Sequence, residues 1–145
     1  MISRFRSFVS GITTCYKYIQ RIKSMEMTEF GLKGTHVMCL FFLHHTPEGL
    51  TAAQLCQLCA EDKAAISRTI ATLREKGYIV TGAKKYRAPL TLTDLGKNIA
   101  KQMDGMIYQW VGFGGDGISD EDRDTFYRVL EHISTNLREN VENKN

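Results

Sequence analysis

Apolar residues recur at steps of three and four along most of this chain. Phe5, Phe8, Ile12, Cys15, Ile19 and Ile22 make one such seam and predict a first helix over residues 2–24. Two glycines, Gly31 and Gly34, interrupt the pattern. A second helix is expected from about Thr35 to His45, so apolar that it must be central, with Pro47-Glu48-Gly49 ending it. Thr51 and Gln54 match a T-x-x-Q capping box, in which hydroxyl and amide satisfy the first free backbone groups of a helix reciprocally. That third helix is short, to about Ala60, with Leu55 and Leu58 inward. Asp62 is a good N-cap for a fourth helix with Ile66, Ile70 and Leu73 inward and an end near Gly77.

The period then changes. Tyr78 to Thr81 reads as a strand, Gly82 to Arg87 as a polar turn, and Ala88 to Leu92 as a returning strand with Leu90 and Leu92 on one face. Pro89 cannot donate to a ladder, which points to an edge position. Thr93 caps a fifth helix seamed by Leu95, Ile99, Met103, Met106 and Trp110. Residues 112–117 are Gly-rich and read as a loop. Ser119 caps a sixth helix to about Glu142, seamed by Phe126, Leu130, Ile133, Leu137 and Val141. The fold class is therefore mainly α with a small two-stranded wing: a winged helix-turn-helix, flanked by long seamed helices at both ends of the chain.

The fourth helix carries the functional signal. With Ile66, Ile70 and Leu73 inward, its outer arc holds Lys63, Ala64, Ser67, Arg68, Ala71 and Thr72. In a helix-turn-helix the second helix enters the major groove and its first turns meet the bases. Arg68 can grip a guanine with two hydrogen bonds, Ser67 can bond a base or phosphate, and the alanines allow close approach. Lys63 and the helix N-terminus suit phosphates. At the hairpin tip, Lys84, Lys85 and Arg87 can straddle the DNA backbone or reach a narrow minor groove. The plainer alternatives are a solvated helix face and a charged turn that deters edge pairing. The short capped helix before and the basic hairpin after make DNA the stronger expectation.

Charge changes the picture only through its distribution. The 145 residues carry a net charge of +3, with 43% hydrophobic and 24% charged residues. Lys63 to Arg87 holds seven basic residues against one acid, whereas Asp116 to the end holds eight acids against four bases. The middle of the chain is a local basic feature. The longest apolar run, Val37 to Leu43, is seven residues, far short of the about 20 that a membrane helix needs. The first 23 residues lack acids, as a mitochondrial transit peptide does, but they read equally well as a packing helix.

Other candidates are weaker. Cys56 and Cys59 form a C-x-x-C, but no second ligand pair completes a zinc site, and the motif lies inside a helical pattern rather than after a strand. Both are expected to be small, reduced packing residues. Gly112 to Gly117 matches G-x-G-x-x-G literally, yet a helix precedes it and Asp116 would repel phosphate, so a hinge is expected. No nucleophile, base and orienting group fall together, so neither an enzyme nor a cofactor is expected.

Several stretches together resemble the MarR family of bacterial winged-helix regulators. They are Leu50 to Leu55, Asp62 to Arg68, Leu73 to Ile79 and Leu92 to Gly96, in family order and near family spacing over residues 50–96. The resemblance implies one domain over residues 1–145, with a winged DNA-binding region at 33–93 and dimerisation helices at 1–30 and 95–145. It implies a cytoplasmic homodimer that binds operator DNA, often relieved by a small ligand or oxidation. Some relatives bind zinc near the second helix, but His36, Cys39, His44 and His45 are poorly placed on one face and no metal is expected. Others sense peroxide through an N-terminal cysteine; Cys15 lies on a seam, which argues for burial. Family wings carry an Asp and Arg pair early in the wing, whereas this chain reads Thr81-Gly82-Ala83-Lys84 there. The leading expectation is a DNA-binding repressor; the alternative is a winged-helix module that meets an acidic protein.

Overall fold

The computed structural model of the chain describes residues 1–83 and 88–144. Helix α1 spans Ile2–Met27 and is followed by a 3₁₀ turn at Thr28–Phe30. Helices α2 (Gly34–His44), α3 (Ala52–Cys59) and α4 (Lys63–Glu75) lead into β1 (Ile79–Thr81) and β2 (Leu90–Leu92), then α5 (Asp94–Gly114) and α6 (Asp120–Glu142). The mainly α fold with a two-stranded wing is the one the sequence predicts. The chain forms two compact units, Met1–Met106 and the residues from Ile107 onward.

The first unit is built around α2, the apolar stretch that the sequence marks as central. Cys39 and Leu40 are fully buried, Val37 and Leu43 nearly so. Leu55 of α3, Ile66 and Leu73 of α4, Ile79 of β1 and Met103 of α5 complete the core. At the start of α2, His36 Nδ1 accepts the Lys33 backbone N–H at 2.8 Å. Burial, with Lys33 and Lys76 nearby, holds the His36 imidazole below its ordinary value. The unfolded chain takes up that proton more readily than the folded one. The stability is therefore complete above about pH 6.5 and is lost as pH falls towards the depressed folded value. Denaturant midpoints should drop between pH 7.5 and 5.5, and His36→Asn, which keeps an acceptor, should flatten that drop.

The strands pair antiparallel with Ile79 opposite Leu92 and Thr81 opposite Leu90. Leu50 bridges to the other side of Leu90, with Leu50 N–H to Leu90 O at 3.1 Å and Leu90 N–H to Leu50 O at 2.8 Å. In a two-stranded sheet β2 is an edge strand, as read from Pro89, with the isolated Leu50 bridge covering it at Leu90 alone. Pro89 precedes the strand, its carbonyl accepts the Gly82 N–H at 2.8 Å, and β2 has a neighbour on each side at Leu90.

Two inward leucines are corrected. Leu58 is 46% exposed and Leu95 51% exposed. In α5 the inward positions are Gly96, Ala100 and Met103, with Ile99 and Met106 packed beside them. The helix also runs on to Gly114, so the 112–117 loop shrinks to a turn after it; Gly117 has a positive φ of 73° there. Within the second unit, Ser119 caps α6 through the Asp122 N–H at 3.1 Å. The Arg123 guanidinium donates to the Gly115 carbonyl at 3.2 Å, which fixes the turn.

Candidate nucleic-acid interface

Helix α3 starts as its capping box predicts. The Thr51 hydroxyl accepts the Gln54 N–H at 3.3 Å, and Gln54 Oε1 accepts the Thr51 N–H at 2.8 Å. It ends at Ala60, which adopts the left-handed conformation (φ 52°) and so turns the chain sharply. Two residues later Asp62 caps α4, its carboxylate accepting the Ala65 N–H at 2.7 Å. The short interval between α3 and α4 is therefore fixed by local chemistry. Replacing Asp62 with Ala should destabilise the fold by about 1 kcal/mol in a urea titration, and the loss should be recovered by Asp62→Ser.

The buried side of α4 is Ile66, Thr69 and Leu73, with Ile70 half-buried. Thr69 was not legible as a core residue. Lys63, Ala64, Ser67, Arg68 and Ala71 are all exposed, as placed from the sequence. Among the described residues no carboxylate pairs with Lys63 or Arg68, so both cations are available to a ligand. Thr72 is half-buried and its hydroxyl donates to the Arg68 carbonyl at 3.1 Å, so it stands further back than the sequence placed it. Lys84, Lys85 and Arg87 lie outside the described residues.

Arg74 is a residue whose part was missed. Its guanidinium donates to Thr81 Oγ1 at 2.7 Å and ties the end of α4 to β1. The brace is visible only once the hairpin folds back on the helix. Beside the exposed face, α3 and α4 form a shallow, mostly apolar groove lined by Ala53, Cys56 and Ile70 and by Lys63, Ser67 and Ala71 of that face. The histidines are also settled. Asp104 of α5 meets His44 Nε2 at 3.4 Å and His45 Nε2 at 3.2 Å, a partner that spacing along α2 could not reveal.

This arrangement has known counterparts. A MarR family model matches residues 30–84, from the 3₁₀ turn to the wing. Over that segment the chain is similar to the MarR family. The MarR resemblance extends in fold beyond the matched segment. The transcriptional regulator SlyA superposes with a TM-score of 0.83 at 19% identity, over 95% of this chain and 99% of that one. A MarR/EmrR family regulator from Acinetobacter sp. ADP1 gives 0.81 at 17% identity, over 96% and 99%. The DNA-complexed MepR of S. aureus gives 0.77 at 13% identity, over 89% and 97%. In this MarR-type region α3 and α4 are the helix-turn-helix and β1–β2 the wing.

Proposed function

We propose that this chain is a sequence-specific DNA-binding transcriptional regulator, acting as a homodimeric repressor that a small ligand or oxidation releases. The observation that carries it is the outer face of α4. Two cations with no carboxylate partner among the described residues, a hydroxyl and two alanines stand together on a helix whose entry is fixed by the Asp62 cap. Arg68 and Ser67 read base edges, Lys63 holds a phosphate, and Thr72 supports Arg68 from behind. The wing residues Lys84, Lys85 and Arg87 grip the backbone. The DNA complex of MepR supports this reading, since that protein has the same fold.

Residues 33–93 are the reader in this proposal, and 1–30 with 95–145 hold the dimer. Helix α1 exposes Phe5, Val9, Ile12, Tyr16 and Ile19 along one flank. Helix α6 has no buried residue among those described and exposes Phe126, Val129, Leu137 and Val141. Apolar faces of that size are normally covered, and a second copy of the chain is the proposed cover for each. Sedimentation equilibrium at micromolar concentration should give a dimer; a monomer would contradict this part.

Selection from a randomised duplex pool tests the DNA claim with no operator sequence assumed. Enrichment of a two-fold-symmetric sequence, with half-sites about one helical turn apart, is expected. No enrichment, with tight binding to an acidic protein instead, would favour the protein-interaction alternative.

A further inference from the structure

We propose that Cys39 and Cys59 form a dithiol site that a peroxide converts to an intrachain disulfide joining α2 to α3. Cys39 Sγ lies 3.7 Å from Cys59 Sγ, although the two are 20 residues apart on different helices. Cys39 is fully buried under α3, while Cys59 is half-buried near the open end of that helix. An incoming oxidant therefore meets Cys59 first. The sequence marks both cysteines of the C-x-x-C as packing residues; both do pack against the core, and the sulfur close to Cys59 is Cys39 from another helix.

Exposure assigns the two roles, and the electrostatics agree with it. The Cys39 thiol is pushed up by its bond to Cys59 and by burial, so it keeps its proton and donates it. The Cys59 thiol is pulled down by its bond with Cys39, which outweighs burial and the Glu61 carboxylate; the Lys23 ammonium of α1 adds a smaller lowering effect. A thiolate is the nucleophile in the first step, and the second thiol must give up its proton as it attacks. Cys59 sulfur attacks one peroxide oxygen and the O–O bond breaks. This leaves a sulfenic acid on Cys59 and a hydroxide that takes up the proton Cys59 had released. Cys39 sulfur then attacks the Cys59 sulfur, and its own proton leaves with the hydroxyl as water. Two thiols lose two electrons, and hydrogen peroxide becomes two waters.

A disulfide needs the sulfurs about 2.05 Å apart, so they must approach by about 1.6 Å, through side-chain rotation together with a shift of α3 against α2. Cys59 is the last residue of α3, and Ala60 to Asp62 then lead into α4. Any part of the closure taken up by α3 pulls on the entry of α4. That consequence rests on the DNA-binding reading above; the disulfide does not.

The test treats the full-length chain with stoichiometric hydrogen peroxide and then alkylates the free thiols. Expected are a mass loss of two hydrogen atoms, reversal by dithiothreitol, and one linked peptide containing Cys39 and Cys59. A chain carrying both Cys15→Ser and Cys56→Ser should give the same linked peptide. Cys39→Ser should stop Cys59 at an added oxygen with no cross-link. Should that variant not fold, Cys59→Ser decides, because buried Cys39 should then stay reduced. A link to Cys56 or Cys15, a link between chains, or a Cys59 sulfinic acid beside free Cys39 in the unmodified chain overturns the proposal. Oxidised and reduced protein should also differ at least about fivefold in affinity for the selected duplex. An unchanged affinity overturns the pull on α4. Reduced protein that binds no duplex instead sinks the DNA reading, and the thiol mapping stands apart from it.

Discussion

Arg68→Ala is expected to weaken binding to the operator duplex by about 1–3 kcal/mol per half-site and to relax discrimination at one base position. Arg68 leaves α4 on the side opposite Ile66 and Ile70, within two turns of the Asp62 cap. Its guanidinium is exposed and has no carboxylate partner among the described residues. Truncation thus breaks no ion pair of the free protein, and the loss should be confined to the complex. A dimer presents the residue twice, so the total should approach double. Removing Lys63 should instead weaken operator and random duplexes nearly alike and lower the salt slope by about one unit. The contrast between the two variants distinguishes reading from holding. The same test on Lys84 or Lys85 should resemble Lys63.

Gly96→Ala is the second large effect, and it acts on the fold. A Cβ at Gly96 would strike the backbone carbonyl of Tyr78. That carbonyl cannot retreat freely, because it accepts the Thr93 N–H at 3.0 Å. Thr93 is held in turn, its hydroxyl donating to the Gly77 carbonyl at 2.6 Å and accepting the Gly96 N–H at 3.0 Å. The chain leaving the wing and the chain leaving α4 are locked together at this point. Forcing a methyl group between them should cost about 3 kcal/mol, at the upper end of overpacking penalties. Such a loss is a large share of a domain's total stability. Gly105 of the same helix is the control, since a Cβ there meets nothing within 4 Å. Gly105→Ala should be neutral or stabilise by up to about 1 kcal/mol. Urea titration of both variants decides the matter.

The caps and turns were legible because their causes are local. Thr51 with Gln54, Asp62 with Ala65, and Ser119 with Asp122 each close within three residues. The outer face of α4 was legible for a related reason: three apolar residues at helical spacing fix which side points away. Helix orientation was less secure where the apolar pattern is broad. Leu58 and Leu95 belong to plausible seams, yet the packed side of α5 is centred on Gly96, where backbone meets backbone and a leucine would not fit. Period counting favours large residues and overlooks that kind of contact. Glycine misled in the opposite sense at the end of α5. The helix absorbs Gly105, Gly112 and Gly114, because propensity yields when the remaining turns are favourable.

What the sequence concealed are contacts between elements. Cys15 sits on a seam but is exposed in the single chain, as is its whole flank of α1. Asp104 with His44 and His45, Arg74 with Thr81, and Cys39 with Cys59 each join positions that nothing in the local pattern pairs. The wing tip, which the sequence placed beside DNA, lies outside the described residues and remains a proposal.

The most direct test of the central claim is fluorescence anisotropy with two labelled duplexes, the pool-selected operator and its scrambled counterpart, across a salt series. The account predicts operator affinity of about 10⁻⁸ M or tighter, at least about a thousandfold above the scrambled duplex, and a ratio that falls in Arg68→Ala. Equal affinity for the two duplexes, or a ratio that Arg68→Ala leaves unchanged, would contradict it.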